Sequence, residues 1–276
     1  MRPLSDSIPT YSMPHHDPSA CEAAISRRDA LKRTTLGAIA LATGACLGAT
    51  DTSSGGGNGR LSARVTAPTS PTAPGTYALG LASGRDGLLY VPTSYNPDTP
   101  APLALLLHGA GHDASEFVNA TTRPFADANG LVLVAPDSRG GTWDAIGRGF
   151  LDDVTYIDRA LTSVFSRVRV DATHVRIMGF SDGGTYSLSL GIINGDLFSR
   201  LVAFSPGFIV DGPPNGKPKV FITHGTRDTV LPIDQTSRRI VPRLRNAGYE
   251  VDYREFDGGH GVPADLGAQA FTWAAA

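Results

Sequence analysis

The stretch Gly179-Phe180-Ser181-Asp182-Gly183-Gly184 joins a segment with the character of a buried strand to a segment with the character of a helix. Residues 173–180, THVRIMGF, predict a parallel strand, and residues 185–193 predict the helix. A serine at such a junction is held in a strained backbone conformation with its hydroxyl projecting, and the two glycines of the G-x-S-x-G spacing let strand and helix approach closely. The spacing therefore predicts that Ser181 is a nucleophile, whereas a Gly-rich turn whose serine merely caps a helix is the alternative.

Around this junction, apolar strand-like runs alternate with helical segments. Two antiparallel strands are predicted at 76–81 and 87–91, followed by strands at 103–107, 131–134, 173–180, 201–204, 220–223 and 250–256. Helices are predicted at 113–129, 151–165, 185–193 and 232–246, and a last one begins near Val262. Such alternation predicts an α/β fold with a mostly parallel central sheet and helices on both faces, and functional groups gather at the carboxyl ends of its strands.

The first 46 residues predict a leader and an export signal. Ser26-Arg27-Arg28-Asp29-Ala30-Leu31-Lys32 precedes an apolar run of small residues at 36–48, which is too short to span a bilayer. The pattern resembles the twin-arginine class of export signals, with Ala30 where phenylalanine is usual. We therefore expect the protein to be exported.

Thr43-Gly44-Ala45-Cys46, which lies within the apolar run, is similar to a bacterial lipobox. Lipidation of Cys46 would anchor the protein to a membrane, whereas an ordinary signal-peptidase cut after Ala42 or Ala45 is the alternative. The chain has two cysteines, Cys21 and Cys46, and both precede the predicted domain. We therefore expect that domain to fold without a disulfide bond.

Composition divides the rest of the chain into a linker at 47–64 and one catalytic domain at 65–276. Residues 51–59, DTSSGGGNG, have the composition of a flexible tether. The formal net charge of the whole chain is −2, and no cluster of lysine and arginine suggests a surface for nucleic acid. We therefore expect no nucleic-acid partner.

A serine nucleophile needs a base that accepts its proton and an acid that holds that base in the correct tautomer. Asp228, in the loop after the strand at 220–223, is the predicted acid. Asp234 competes with it but falls within the predicted helix at 232–246, and Asp257 lies too near the candidate base in sequence.

His260 is the predicted base, because flanking glycines in the loop after the last strand let its imidazole reach a neighbouring strand end. His224, at the end of a buried strand, is instead predicted to be a structural hydrogen-bonding residue. His174 begins the strand that precedes Ser181 and so lies at the opposite edge of the sheet.

Acyl transfer also needs two N–H groups directed at the oxyanion that forms during the reaction. Leu107-His108-Gly109-Ala110-Gly111 follows an apolar strand, and its glycines let the chain turn back above Ser181. We predict that the N–H groups of Ala110 and Asp182 form the oxyanion hole.

These motifs resemble a known superfamily over residues 76–275. Four are similar to motifs of the phospholipase/carboxylesterase branch of the α/β-hydrolases: LLLHGAG at 105–111, GFSDGG at 179–184, HGTRDTVLPI at 224–233 and GGHG at 258–261. Two more, at 152–161 and 170–184, resemble the polyhydroxybutyrate depolymerase and feruloyl esterase branch. The resemblance implies an α/β-hydrolase fold and a serine esterase, with Ser181, Asp228 and His260 as triad and Ala110 and Asp182 as oxyanion donors. Glutamine, alanine or asparagine is more usual where this chain has Asp182.

An esterase of this kind uses a covalent acyl-enzyme and needs neither a metal nor an organic cofactor. Trp143, in a Gly-rich turn, either lines an acyl pocket or lies on the surface. The segment at 206–218 is too short for a lid domain, which favours small or surface-exposed esters. A thioesterase or a peptidase with the same triad, and a non-catalytic binding scaffold, are the alternatives.

Overall fold

The computed structural model describes residues 57–276, and these residues form one eight-stranded sheet. Its strands are β1 (Gly75–Ala78), β2 (Gly87–Val91), β3 (Ala101–Leu107), β4 (Val132–Pro136), β5 (Val170–Phe180), β6 (Arg200–Phe204), β7 (Lys219–Gly225) and β8 (Val251–Phe256). They lie side by side in the order β1-β2-β4-β3-β5-β6-β7-β8. The six strands from β3 to β8 run parallel, whereas β1 and β2 are antiparallel to their neighbours. The predicted mostly parallel sheet is therefore confirmed.

Both faces of the sheet are buried, as the alternation of side chains along β3 shows. Leu103, Leu105 and Leu107 face one apolar core, whereas Ala104 and Leu106 face a second core on the other side. A strand buried on both faces reads in sequence as a continuous apolar run, which is why residues 103–107 were recognisable as a strand.

Five helices cover these two faces. They are α1 (Arg123–Asn129), α2 (Asp152–Arg167), α3 (Asp182–Ile193), α4 (Ser237–Asn246) and α5 (Ala264–Ala275). Side chains of α2, α3 and α4 belong to the core that contains Leu103, and side chains of α1 and α5 belong to the core that contains Ala104. The predicted placement of helices on both faces is confirmed.

The helix predicted at 113–129 was wrong in its extent. The structure has a single 3-10 turn at Ala114–Glu116, and α1 begins only at Arg123. Between them, the side-chain oxygen of Asn119 accepts the N–H of Thr121, and the Thr122 hydroxyl donates to the Phe117 carbonyl. Polar side chains of this kind offer the backbone an alternative to helix hydrogen bonds, and this competition interrupts the helix.

The helix predicted at 232–246 also begins later than expected, at Ser237. The predicted leader and export signal at 1–46, including Arg27, Arg28 and Cys46, and residues 47–56 of the predicted linker lie outside the described residues. Within residues 57–276, no helix is both long enough and apolar enough to cross a membrane.

Candidate active site

Ser181 occupies the sharp turn between β5 and α3. Its backbone has φ 57° and ψ −119°, a conformation that residues with a side chain rarely adopt, and its N–H donates to the Phe204 carbonyl at 2.9 Å. A β-carbon on Gly179 would lie 2.2 Å from the Gly183 carbonyl oxygen, and one on Gly183 would lie 1.9 Å from the Leu107 carbonyl oxygen. Both glycines are therefore required by close packing, as the G-x-S-x-G spacing predicts.

The structure brings Ser181, His260 and Asp228 into one hydrogen-bonded chain. His260 Nε2 lies 2.9 Å from Ser181 Oγ, and His260 Nδ1 lies 2.6 Å from Asp228 Oδ2. The carboxylate accepts the Nδ1 proton, which leaves Nε2 free to accept the serine hydroxyl proton. Ser181 and Asp228 are 9% and 5% exposed, so these hydrogen bonds are largely shielded from water.

Close approach of two loops makes this chain possible. Asp228 follows β7 and His260 follows β8, and the two strands are neighbours in the sheet. A β-carbon on Gly225, the last residue of β7, would lie 2.2 Å from the Gly259 carbonyl oxygen. Only glycine at position 225 lets the loop that carries His260 pack this closely against the end of β7.

Four N–H groups surround the Asp228 carboxylate. The N–H groups of Val230 and Leu231 donate to Oδ1 at 2.9 and 2.8 Å, while His260 Nδ1 and His224 Nε2 lie 2.6 and 3.2 Å from Oδ2. Burial by itself raises the pKa of this carboxyl, but hydrogen bonds from His224, His260 and Leu231 outweigh burial and hold the pKa well below its usual range. Asp228 is therefore ionised throughout the neutral range.

His224 is fully buried and hydrogen-bonded, as the sequence predicted. Its Nδ1 lies 2.7 Å from the Ser237 hydroxyl, and its Nε2 lies 2.8 Å from the Leu231 carbonyl oxygen. A carbonyl only accepts, so Nε2 carries the proton and points it toward Leu231 and Asp228. The sequence analysis missed this contact with the acid, although the His-Gly-Thr-Arg-Asp spacing within one tight turn was a signal for it.

The competing acids and bases lie elsewhere. Asp234 precedes α4 rather than lying in it, so the reason first given against it was wrong; its exposed carboxylate accepts from Arg238 at 2.8 Å. Asp257 is exposed and pairs with Arg227 at 2.7 Å, and His174 pairs with Asp171 at 2.9 Å.

Across residues 57–276, no three His, Cys, Asp or Glu side chains are grouped as a metal site requires.

The two backbone N–H groups predicted to form an oxyanion hole lie in the loop after β3 and at the start of α3. In the loop after β3, Gly109 N–H donates to Glu116 Oε2 at 2.5 Å and Gly111 N–H donates to the Gly141 carbonyl at 2.7 Å. Between them, the N–H of Ala110 has no acceptor in the described part of the chain. Asp182 is the first residue of α3, where N–H groups lack an intrahelical partner. Both predicted donors are thus half-buried and available.

The sequence analysis missed Glu116, whose carboxylate accepts the N–H of Gly109 in the loop after β3. Its side chain is 2% exposed, and burial raises the pKa of its carboxyl above the usual value, although the hydrogen bond from Gly109 N–H opposes the rise. Oε1 lies 3.7 Å from His112 Nδ1 and has no hydrogen-bond partner in the described residues. No motif marks such a residue, because its contact depends on how residues 112–116 fold back onto the loop.

Trp143 is neither a surface residue nor positioned as an acyl-pocket wall, so both sequence interpretations of it were wrong. It is 1% exposed, and its indole N–H donates to the His108 carbonyl at 2.8 Å. Its ring packs against the rings of His108 and Tyr186, with centroids 4.8 and 5.2 Å away. A buried indole needs an acceptor for its N–H, and the segment between β4 and α2 folds inward to place Trp143 against that carbonyl.

The chain matches no protein-family model. It is 30% identical to feruloyl esterase C of Emericella nidulans, over 58% of this chain and 60% of that protein. It is also 30% identical to the putative esterase NocK of Nocardia uniformis, over 51% of this chain and 46% of that protein. The chain thus spans less than two thirds of the length of the relatives that it matches.

Solved structures share its fold at low sequence identity. Esterase PE8 has a TM-score of 0.56 and 20% identity, over 68% of this chain and 96% of that one. S-formylglutathione hydrolase FrmB from Staphylococcus aureus has a TM-score of 0.58 and 16% identity, over 74% and 99%. A ferulic acid esterase from Anaeromyces mucronatus has a TM-score of 0.52 and 18% identity, over 74% and 90%. The resemblance expected from the motifs is confirmed: the chain has the α/β-hydrolase fold and its neighbours are esterases of that fold.

Proposed function

We propose that this protein is a serine hydrolase that cleaves carboxylic esters through an acyl-enzyme. The hydrogen-bonded chain Ser181–His260–Asp228 is the observation that carries the proposal. The feruloyl esterases and esterases to which the chain is similar support it. A Ser-His-Asp chain beside free N–H groups is the arrangement that acyl transfer needs.

In the first half of the proposed reaction, His260 Nε2 accepts the proton of Ser181 as Oγ attacks the ester carbonyl carbon. The carbonyl oxygen becomes negative and accepts hydrogen bonds from the N–H groups of Ala110 and Asp182. The tetrahedral intermediate then breaks its bond to the alkoxy oxygen, which takes the proton from His260 and leaves as an alcohol. The acyl group remains on Ser181 Oγ.

In the second half, water replaces the alcohol. His260 Nε2 accepts a proton from the water as its oxygen attacks the acyl carbon, and the same two N–H groups hold the second oxyanion. Collapse returns the proton to Ser181 Oγ and releases the carboxylic acid. Asp228 stays ionised throughout and stabilises the imidazolium of His260 in both halves.

The proposed substrates are esters with an apolar acyl group, and feruloyl-type aromatic esters are the first choice because the curated relatives are named for them. Phe208 and Val230 are among the few large apolar side chains that are exposed in the described residues. They lie on the loops that follow β6 and β7, at the same edge of the sheet as Ser181. Apolar surface at a strand-end site suits an apolar part of a substrate.

A panel of p-nitrophenyl esters of rising acyl length, with methyl ferulate, a thioester and a peptide, tests the proposal. We expect turnover of the oxygen esters and covalent labelling of Ser181 by a fluorophosphonate. Preferential turnover of the thioester or the peptide would assign the triad to a different reaction. Absence of both turnover and labelling would instead indicate a binding scaffold.

For the whole chain, we propose an exported enzyme with a leader at 1–46, a linker at 47–64 and a catalytic domain at 65–276. The last residues of the predicted linker are packed on the domain, since Leu61 and Ala63 belong to its apolar core. The paired Arg27 and Arg28 before an apolar run support export, and the lipobox-like residues that end at Cys46 support a lipid anchor. Changing both arginines to lysine should trap precursor in the cell, and Cys46→Ser should release the mature protein from the membrane. Export and membrane association that persist in these variants would contradict the two assignments.

A further inference from the structure

Residues 141–143, Gly-Thr-Trp, contact both segments that supply the predicted oxyanion donors; we call them the bridge segment. The Gly141 carbonyl accepts the N–H of Gly111 at 2.7 Å, and the Trp143 indole donates to the His108 carbonyl at 2.8 Å. These two bonds fix the loop on both sides of Ala110. They leave the N–H of Ala110 as the group that a substrate oxygen can reach.

The third member of the bridge segment contacts the other donor residue. The Thr142 hydroxyl donates to Asp182 Oδ2 at 2.5 Å, and both side chains are half-buried. Asp182 follows the nucleophile, and only its backbone N–H is needed for the oxyanion hole. Its carboxylate, an unusual residue at this position, therefore has a partner of its own in this chain.

The residue that follows the bridge segment is buried and hydrogen-bonded to two helices. Asp144, the next residue, is 4% exposed; its N–H donates to Asp153 Oδ2 at 2.6 Å and its Oδ1 accepts the Tyr186 hydroxyl at 3.0 Å. Asp153 also accepts the N–H of Arg139 at 2.5 Å. Because Asp153 lies in α2 and Tyr186 in α3, the bridge segment is tied to the scaffold and not only to the loops that it contacts.

We propose that the bridge segment positions the oxyanion hole, and that the Thr142–Asp182 hydrogen bond sets the distance between the two donors. This inference rests on the proposed ester hydrolysis. Two N–H groups from separate segments stabilise an oxyanion only when both lie at hydrogen-bonding distance from one point. Thr142 and Trp143 are thus positioning residues, which touch the donor segments and not the substrate.

Thr142→Val keeps the shape of the side chain and removes the donor, so it is the main test. We expect kcat to fall by about 10-fold to 10²-fold with KM within about 3-fold, because a small displacement of a donor weakens binding of the transition state more than binding of the substrate. A boronic acid, which forms a tetrahedral adduct with Ser181, should bind more weakly by a similar factor. Thr142→Ser restores the hydroxyl and should recover kcat to within about 3-fold.

One control variant and one second test accompany Thr142→Val. Thr162→Val removes an exposed hydroxyl that donates to the Asp158 carbonyl within α2, and it should leave kcat and boronate affinity unchanged. Asp182→Ala removes the acceptor but keeps the N–H, so its kcat should fall as in Thr142→Val. The double variant should be no worse than the worse single variant, since both remove one hydrogen bond.

The outcomes are distinct for the two proposals. A wild-type protein that hydrolyses no ester in the panel overturns the proposed function. An active wild type with full kcat in Thr142→Val, or a Thr142→Ser variant as slow as Thr142→Val, overturns the positioning role. If Thr142→Val does not fold, Asp182→Ala alone decides, and unchanged kcat and boronate affinity in that variant overturn the role.

Discussion

The two sides of the site are fixed in different ways. On the side formed by the ends of β7 and β8, the proposed catalytic groups are the side chains of Asp228 and His260, which contact each other directly, and His260 contacts Ser181. On the side formed by the end of β3 and the start of α3, the proposed groups are backbone N–H groups, and their segments are hydrogen-bonded by residues 116 and 141–143. Changes on the first side should abolish the reaction, and changes on the second should weaken it by degrees.

Two buried carboxylates, one on each side, sharpen this contrast. Asp228 accepts N–H groups from Val230, Leu231 and His260 and lies 3.2 Å from His224 Nε2, and its pKa is depressed although burial alone would raise it. Glu116 accepts one N–H donor, and burial raises its pKa. Hydrogen bonds and nearby charge outweigh burial at Asp228 but not at Glu116, so the pKa values of the two carboxyls shift in opposite directions.

The largest expected effect lies on the side-chain side. Ser181→Ala and His260→Ala should each lower kcat on the order of 10⁴-fold or more, because a serine hydroxyl is a poor nucleophile without its base. The double variant should be scarcely slower than either single variant, since the residues act as a unit. Asp228→Asn should also be severe, because the amide leaves His260 in the wrong tautomer.

Asp234→Asn is the matched control for the acid. Its carboxylate is exposed and pairs with Arg238, so the variant should keep the wild-type rate. Steady-state kinetics on one p-nitrophenyl ester, with circular dichroism to check folding, measure both. A crippled Asp234→Asn with a silent Asp228→Asn would show that the triad is assigned wrongly.

The next effect tests the backbone side. A β-carbon on Gly109 would lie 3.3 Å from the Phe180 ring and 3.6 Å from Glu116 Oε1, so the branched side chain of Gly109→Val must push the loop outward. We expect a loss of about 10²-fold in kcat, the range reported for loss of one oxyanion donor. Gly84→Ala, whose β-carbon would meet nothing within 4 Å, is the control and should keep full rate. A folded Gly109→Val variant with full rate would refute the position of the donor.

The two sides also differ in how far the sequence alone predicts them. The motifs singled out Ser181, Asp228 and His260, which the structure brings together; their catalytic roles remain a prediction. Side chains at strand ends can be recognised because the alternation of strands and helices shows which ends share an edge. Every predicted strand was found; the strand at 87–91 has the predicted bounds, and each of the others is shifted at one or both ends, because apolar runs mark the buried middle of a strand better than its termini.

What the sequence did not predict depends on tertiary contacts. Residues 113–129 have a helical pattern, yet Asn119 and Thr122 bond to nearby backbone and divide the segment. Trp143 was placed in a turn correctly, but nothing local indicates that its indole reaches the His108 carbonyl. A backbone donor is fixed by whatever packs around it, and such contacts leave no motif in the sequence.

A smaller effect on kcat is expected from changes at His224, whose Nε2 lies 3.2 Å from Asp228 Oδ2. The amide nitrogen of Gln reaches the position of Nε2, whereas that of Asn reaches the position of Nδ1. His224→Asn therefore removes a donor to Asp228 and should lower kcat about 10-fold, in line with a hydrogen bond to a charged group. His224→Gln keeps the donor and should stay within about 3-fold. Equal rates in the two variants would contradict this role.

The contact between His224 and Asp228 also predicts how the free energy of unfolding depends on pH. The folded pKa of Asp228 lies below that of an unfolded aspartate, about 3.9, so its hydrogen bonds stabilise the fold above that pH and are lost as pH falls through the folded pKa. His224→Asn raises the folded pKa toward 3.9. Its deficit in the free energy of unfolding should be largest near pH 7 and shrink on acidification, as urea titrations at several pH values would show.

The smallest effect on rate is expected for Glu116→Gln, because the Gln carbonyl still accepts the N–H of Gly109. Its kcat should stay within about 3-fold of wild type, whereas Glu116→Ala leaves that N–H without an acceptor and should lose about 10-fold. The informative quantity is stability. Burial raises the folded pKa of Glu116 above the unfolded value of about 4.3, so between these two pH values the folded state binds more protons than the unfolded state.

Under that condition, the free energy of unfolding falls as pH rises, because stability increases with pH only where the unfolded state binds more protons. Glu116→Gln cannot titrate, so its stability relative to wild type should improve as pH rises from about 4.3 through the folded pKa and then level off. Urea unfolding of both proteins between pH 4 and pH 8 measures the difference, and Glu250→Gln, at an exposed carboxylate, is the control. A difference that stays constant across this range would show that the Glu116 carboxyl ionises as freely in the folded protein as in the unfolded chain, and the contrast with Asp228 would then be lost.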